Sequence, residues 1–156
     1  MKDIFHLSEL DKRIISEIQQ DATLSAAELA RRTASSPATC WRRIKAMEEA
    51  GVLGPTVRLV NPAAVGRGMD AFCNVRMKSQ DATSRRAFLR AMEQEQAITE
   101  VYSISGEWDY LLHFVVRGMD EVEDILMRRV LDHDNVAGTS TIFVLRRVKH
   151  TTQVPV

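Results

Sequence analysis

Residues 25–51 read SAAELARRTASSPATCWRRIKAMEEAG, and how this stretch is parsed decides the fold. Ala27, Leu29 and Ala30 recur at helical spacing between Ala26 and Thr33. Ala34, Ser35 and Ser36 form a short polar break. Ser36 then stands where an N-cap belongs, with Pro37 at the first helical position. A serine hydroxyl accepts from the free amides of a first turn, and proline has no amide to leave unpaired there. A second helix follows to about Ala50, and Gly51 suits the position just past its end. The spacing predicts two short helices joined by a tight turn.

The second helix has unlike faces. Cys40, Ile44 and Met47 fall together, with Trp41 on the flank. Ala38, Thr39, Arg42, Ala46 and Glu49 lie opposite, with Arg43 and Lys45 to either side. Between Arg31 and Met47 the bases Arg31, Arg32, Arg42, Arg43 and Lys45 meet no acidic residue. A small, polar and cationic N-terminal half suits a helix end entering a DNA groove. Small residues permit close approach, and arginine can pair bidentately with guanine. Thr39 and Arg42 are expected to face bases. Arg31, Ser35, Ser36, Arg43 and Lys45 are expected to contact phosphates or orient the helix. The plainer alternative is a helical hairpin with a solvated basic face. The Ser-Pro start, the unopposed charge and the rest of the chain favour double-stranded DNA.

The average field of the molecule offers DNA nothing. Its 21 Lys and Arg balance 21 Asp and Glu, so any affinity must come from local clustering. A hydrophobic content of 45% supports globular cores in one ordinary domain or two small ones. Cys40 and Cys73 fall on expected buried positions in different elements, with no CxxC, which fits a reducing cytoplasm. No signal-like stretch opens the sequence, and no apolar run approaches the ~20 residues that span a bilayer. His6, His113, His133 and His150 are scattered, and Asp132-His133-Asp134 reads as a solvated loop after a helix, so no metal site or cofactor is expected. A phosphate loop, a nucleophile elbow and HExxH are all missing, so the reading is not an enzyme.

Outward from the helical pair, Leu10 to Gln20 is a helix with Leu10, Ile14, Ile15 and Ile18 on one face and Ser8 as its cap. It completes a three-helix, winged helix-turn-helix domain over residues 1–60, with Thr56 to Val60 read as a short β segment. Asn61-Pro62 and the Val65-Gly-Arg-Gly68 stretch make residues 61–68 the linker. Residues 69–156 have a different rhythm. Strands are expected at 70–77, 98–105, 109–117 and 136–148, and helices at 84–95 and 120–131. The order βαββαβ is a ferredoxin-like split unit, giving an α+β fold. Tyr110 to Val116 is apolar on both faces: Leu112, Phe114 and Val116 on one, Leu111 and Val115 on the other. Helices cover one face of such a sheet, so a second copy of the chain is the economical cover for the other.

The chain resembles the Lrp/AsnC family, the feast/famine transcription regulators. The resemblance rests on Leu10-Asp11 with Ile14-Ile15, on Glu28-Leu29-Ala30, on Ser36-Pro37 through Ile44, and on Glu48 through Leu53. Asn61-Pro62, the run Ser105-Gly106-Glu107-Trp108-Asp109-Tyr110-Leu111-Leu112 and Val148 to Thr152 extend it. One departure is Ala34, where the family usually has glycine; alanine reaches positive φ less cheaply. The resemblance implies an N-terminal DNA-binding domain, a C-terminal ligand-sensing domain, homodimers assembling into octamers, and an amino acid as effector. It also implies that the turn Gly106-Glu107-Trp108-Asp109 lines the effector pocket between subunits. Physically, Gly106 lets the chain's backbone come close to a ligand, exposed turn amides can hold a carboxylate and Asp109 can hold an α-ammonium. Read without the family, the same turn is an ordinary hairpin capped by Asp109. Ser103, Ser105, Thr139 and Thr141 are further effector candidates. The run from Cys40 to Arg43 is similar to a sub-branch with cysteine-responsive members. An effector-independent architectural DNA-binding protein of the same fold is the alternative.

Overall fold

Three serines open the first three helices. The structure is a computed structural model describing residues 5–156, so the first four residues of the expected first domain lie outside the described residues. Helix α1 (Glu9–Gln20) starts at Ser8, whose hydroxyl accepts the Asp11 N–H while the Asp11 carboxylate accepts the Ser8 N–H in return. Helix α2 (Ala26–Thr33) is capped by Ser25 and helix α3 (Pro37–Glu49) by Ser36. Such reciprocal and single caps satisfy amides that a helix start otherwise leaves unpaired. Ala34 lies between α2 and α3 at φ 51°, ψ 51°. This left-handed conformation costs an L-residue roughly 1–2 kcal/mol. The turn recovers backbone pairing, because the Ser35 N–H donates to the Ala30 carbonyl at 2.9 Å. Gly51, at φ 72°, ends α3, and the Val52 N–H returns to the Met47 carbonyl at 2.8 Å. Ile14, Ile15, Leu29, Ala30, Cys40 and Met47 form the core of the three helices.

Thr56 to Val60 forms no strand, contrary to the expected β segment. An extended segment becomes a strand only when a neighbour takes up its backbone groups. None does here among the described residues, and Val57, Leu59 and Val60 remain exposed. The stretch 61–68 contains a capped 3₁₀ turn, Pro62–Val65, closed by Gly66 at φ 75°. The chain divides into two compact units, one of residues up to 58 with 149–156, the other of residues 59–148. Lys149–Val156, read from sequence as the end of the second domain, thus belongs by its contacts to the first unit. The Gln19 amide clamps this tail, donating to the Val154 carbonyl at 3.1 Å and accepting its N–H at 2.6 Å.

The second unit is the expected βαββαβ: β1 (Met69–Met77), α4 (Ala82–Glu93), β2 (Ile98–Ser103), β3 (Tyr110–Val116), α5 (Met119–Ile125) and β4 (Val136–Phe143). Helix α5 runs on as a π-type turn over Leu126–Leu131. The sheet order is β2-β3-β1-β4, antiparallel throughout. Strand β4 is shorter than the 136–148 read from sequence. Its partner β1 begins at Met69, so the ladder runs out after the Val144 N–H donates to the Asp70 carbonyl. Beyond it Leu145 and Val148 are exposed. Cys73, Val75, Leu112, Phe114 and Val116 pack from the sheet onto Phe88, Met92, Val122 and Val130 of the helices. Burial pushes the Cys73 thiol up to about 11, so it stays protonated at neutral pH. On the other face Phe72, Leu111 and Val115 are half-buried, while Tyr102 and Ile142 are exposed. His113 also lies there, stacked on Phe72 at 4.6 Å and paired with Asp70 at 2.8 Å.

Candidate DNA-reading helix and effector turn

The cations gathered by α2 and α3 have different fates. Arg31 forks onto Glu28 at 3.0 and 2.7 Å, and Arg32 bonds to both Glu28 and Glu17. These two guanidiniums hold the Glu28 carboxyl down to about 2. Arg43 is committed inward: its Nε and Nη2 reach the buried Asp11 carboxylate at 2.7 and 2.6 Å. It therefore ties α3 to α1 through this pair. The run without acids between residues 31 and 47 concealed this neutralisation, because Asp11, Glu17 and Glu28 all precede it. Arg42 is exposed, with no hydrogen-bond or ion-pair partner among the described residues. Lys45 is only 3.9 Å from Glu49 and sits 5.3 Å over the Trp41 ring. Among the described residues Arg42 is thus the unpaired cation of α3, and Lys45 is held only by the loose pair with Glu49 and by the Trp41 ring.

The N-terminus of α3 is polar and open. The Ser36 hydroxyl accepts the Thr39 N–H at 3.1 Å and donates to Thr39 Oγ1 at 2.8 Å, which fixes both side chains at the helix start. Ser35 is half-buried in the turn. Ser36, Thr39 and Arg42 share one region, and small Ala38 between them leaves room for a close approach.

The turn after β2 places Gly106 at φ 117°, exposed, and apart from its chain neighbours nothing among the described residues lies within 4 Å of where a Cβ would stand. The Ile104 N–H donates to the Asp109 carbonyl at 3.0 Å and closes the turn. Asp109 is anchored: one carboxylate oxygen accepts the Met77 N–H at 2.6 Å and the other the Gln80 amide at 2.5 Å. The carboxylate thus ties the end of β1 to the start of β3, and an ammonium would have to share it. Glu107 pairs with Arg76, whose guanidinium lies 4.8 Å from the Trp108 ring centroid. Arg76 and Gln80 were missed in the sequence. Arg76 shows there only as an outward position of an alternating strand, and nothing links it to a residue 31 positions later.

The remaining effector candidates do not converge within one chain. Ser103 is on edge strand β2, opposite Tyr110. Thr139 and Thr141 are on the other edge strand, β4, opposite Val75 and Cys73. Two strands separate them. Ser105 is exposed in the turn itself. Among the described residues no group of three or more His, Cys, Asp or Glu could hold a metal, and no helix is long and apolar enough to cross a membrane.

Comparison with known proteins places both units. Residues 7–53 match the family described as winged helix-turn-helix DNA-binding, and residues 70–154 match the Lrp/AsnC ligand binding domain. The leucine-responsive regulatory protein of Rhizobium meliloti is 32% identical over 150 residues, covering 96% of each chain. A transcriptional regulator from Neisseria meningitidis, solved as its L-Met complex, superimposes with a TM-score of 0.91 at 30% identity over 96% of this chain and 97% of that one. An AsnC family regulator from Agrobacterium tumefaciens gives 0.90 at 31% identity with the same coverage. A DNA-reading helical unit joined to a ligand-binding ferredoxin-like unit defines a DNA-binding transcription regulator with a ligand-binding domain. The chain belongs to the Lrp/AsnC family.

Proposed function

We propose that the chain is a sequence-specific transcription regulator whose DNA affinity responds to a small amino acid. The observation that carries DNA reading is Arg42, exposed and unpaired among the described residues beside the Ser36-Thr39 cap. Thr39 and Arg42 face bases, Ser35, Ser36 and Lys45 approach phosphates, and Arg31 does so only by leaving Glu28. The effector sits at the Gly106–Asp109 turn, with its carboxylate on turn amides and its ammonium sharing Asp109. An amino acid fits the likeness to a regulator solved with L-Met, whereas the cysteine suggestion rests on α3 alone. A second copy of the chain covers the outer sheet face of Phe72, Leu111 and Val115, and such dimers assemble into octamers. Because Ser103 and Thr139 lie on opposite edges, they join one pocket only across subunits.

The test uses a duplex selected by the protein from a random library. Arg42→Ala should cost ~1–3 kcal/mol on that duplex and relax preference at one base position. Unchanged specific binding would remove α3 from the groove. Sedimentation that finds a monomer at micromolar concentration would sink the second-copy cover.

A further inference from the structure

Trp41 is 64% exposed, on the helix proposed to read DNA. Single exposed apolar residues are common and need no explanation. Three features set this one apart. At ~100° per residue Trp41 lies about 40° from Lys45 and about 100° from Arg42, so it borders the same outward arc. Ala38, one turn back and between them, is too small to screen the ring. The Lys45 ammonium stands 5.3 Å over the ring centroid. That pairing orients the ring and places a cation beside it. The surface is therefore apolar and cationic at once.

We propose that Trp41 is a specificity-determining contact of the DNA site, its ring meeting a thymine 5-methyl group while Lys45 takes the adjacent phosphate. The inference rests on α3 entering the groove. In a major groove the only apolar group a base edge offers is that methyl, and the phosphates flank it. A protein surface would also bury the ring, but Arg42, unpaired among the described residues, and the weakly held Lys45 match a polyanion. The contact would extend reading beyond the position of Arg42, toward the side of the helix where Glu48 ends the cationic arc.

The experiment follows tryptophan emission of the full chain as the selected unlabelled duplex is added, with binding measured separately by anisotropy of a labelled copy. Trp41→Phe leaves Trp108 alone and supplies the blank. Trp41 emission should change and its acrylamide quenching should fall on binding. Uracil in place of the contacted thymine should weaken wild type about fourfold, the burial of one methyl, and leave Trp41→Ala unaffected. Anisotropy that reports binding while Trp41 emission and quenching stay as in free protein would overturn the contact and leave the regulator reading standing. Equal loss on uracil substitution in wild type and Trp41→Ala would also overturn it. A wild-type protein that selects no duplex would overturn both readings.

Discussion

Replacing Asp11 by alanine should damage the DNA-reading unit more than any exposed charge change could. The Asp11 side chain is fully buried and receives Arg43 Nε and Nη2 at 2.7 and 2.6 Å and the Ser8 N–H and hydroxyl at 2.8 and 2.6 Å. Removing it leaves a guanidinium only 30% exposed without its partner and opens the cap of α1. Breaking a buried pair costs ~3–5 kcal/mol, and water reaching the exposed third of Arg43 lowers this to about 2–4 kcal/mol. The Arg43 hydrogen bonds, opposed by burial, bring the Asp11 carboxyl from 3.8 to about 2. A depressed carboxyl stabilises the fold above its unfolded value. This contribution, of order 2 kcal/mol, is complete near pH 7 and drains away as pH falls from about 5 through 2. Urea unfolding followed by circular dichroism, at pH 7 and pH 2.5, measures both effects. Asp11→Ala should lose stability at pH 7, the gap should narrow at pH 2.5, and Asp11→Ala/Arg43→Met should recover part of the loss. A loss under about 1 kcal/mol at pH 7, no larger than one ordinary hydrogen bond, would refute the role given to the pair.

Other substitutions probe the turns and the spent cations. Ala34→Gly should stabilise the chain by about 0.5–1 kcal/mol, seen as a raised urea midpoint, because glycine takes φ 51° without the Cβ penalty. Glu28→Gln should free Arg31 while Arg32 keeps Glu17, tighten binding to random duplex and steepen its salt dependence by roughly one phosphate at ~0.9 per contact. Asp109→Ala should abolish the amino-acid response and also loosen the end of β1 by ~1 kcal/mol. Asp109→Asn, which keeps one acceptor, should lose the response with less effect on the melting temperature.

Most of the architecture was legible because its signals are local. Ser8 and Ser36 announce helix starts, Gly51 announces an end, and the alternation of residues 70–77 announces β1. The misread ends were set by partners that local sequence does not name. Thr56 to Val60 has strand composition but no neighbour, and β4 stops where β1 runs out. The candidate sites divide the same way. Ser36, Thr39 and Arg42 sit together because one helix carries them, so spacing sufficed. Arg43 and Asp109 were legible as charges but not as charges already engaged, because Asp11 is 32 residues from Arg43 and Met77 is 32 from Asp109. Ser103 and Thr139 looked like neighbours in role, yet strand order puts them on opposite edges.

The regulator reading is tested most directly by one titration: wild-type protein on its selected duplex, alone and with each of the twenty amino acids. At least one amino acid should shift the dissociation constant about 5- to 150-fold, the coupling expected of ~1–3 kcal/mol, and Asp109→Ala should erase that shift while still binding the duplex. Twenty unshifted curves on a duplex the protein binds tightly would contradict the amino-acid response and leave an architectural DNA-binding protein in its place.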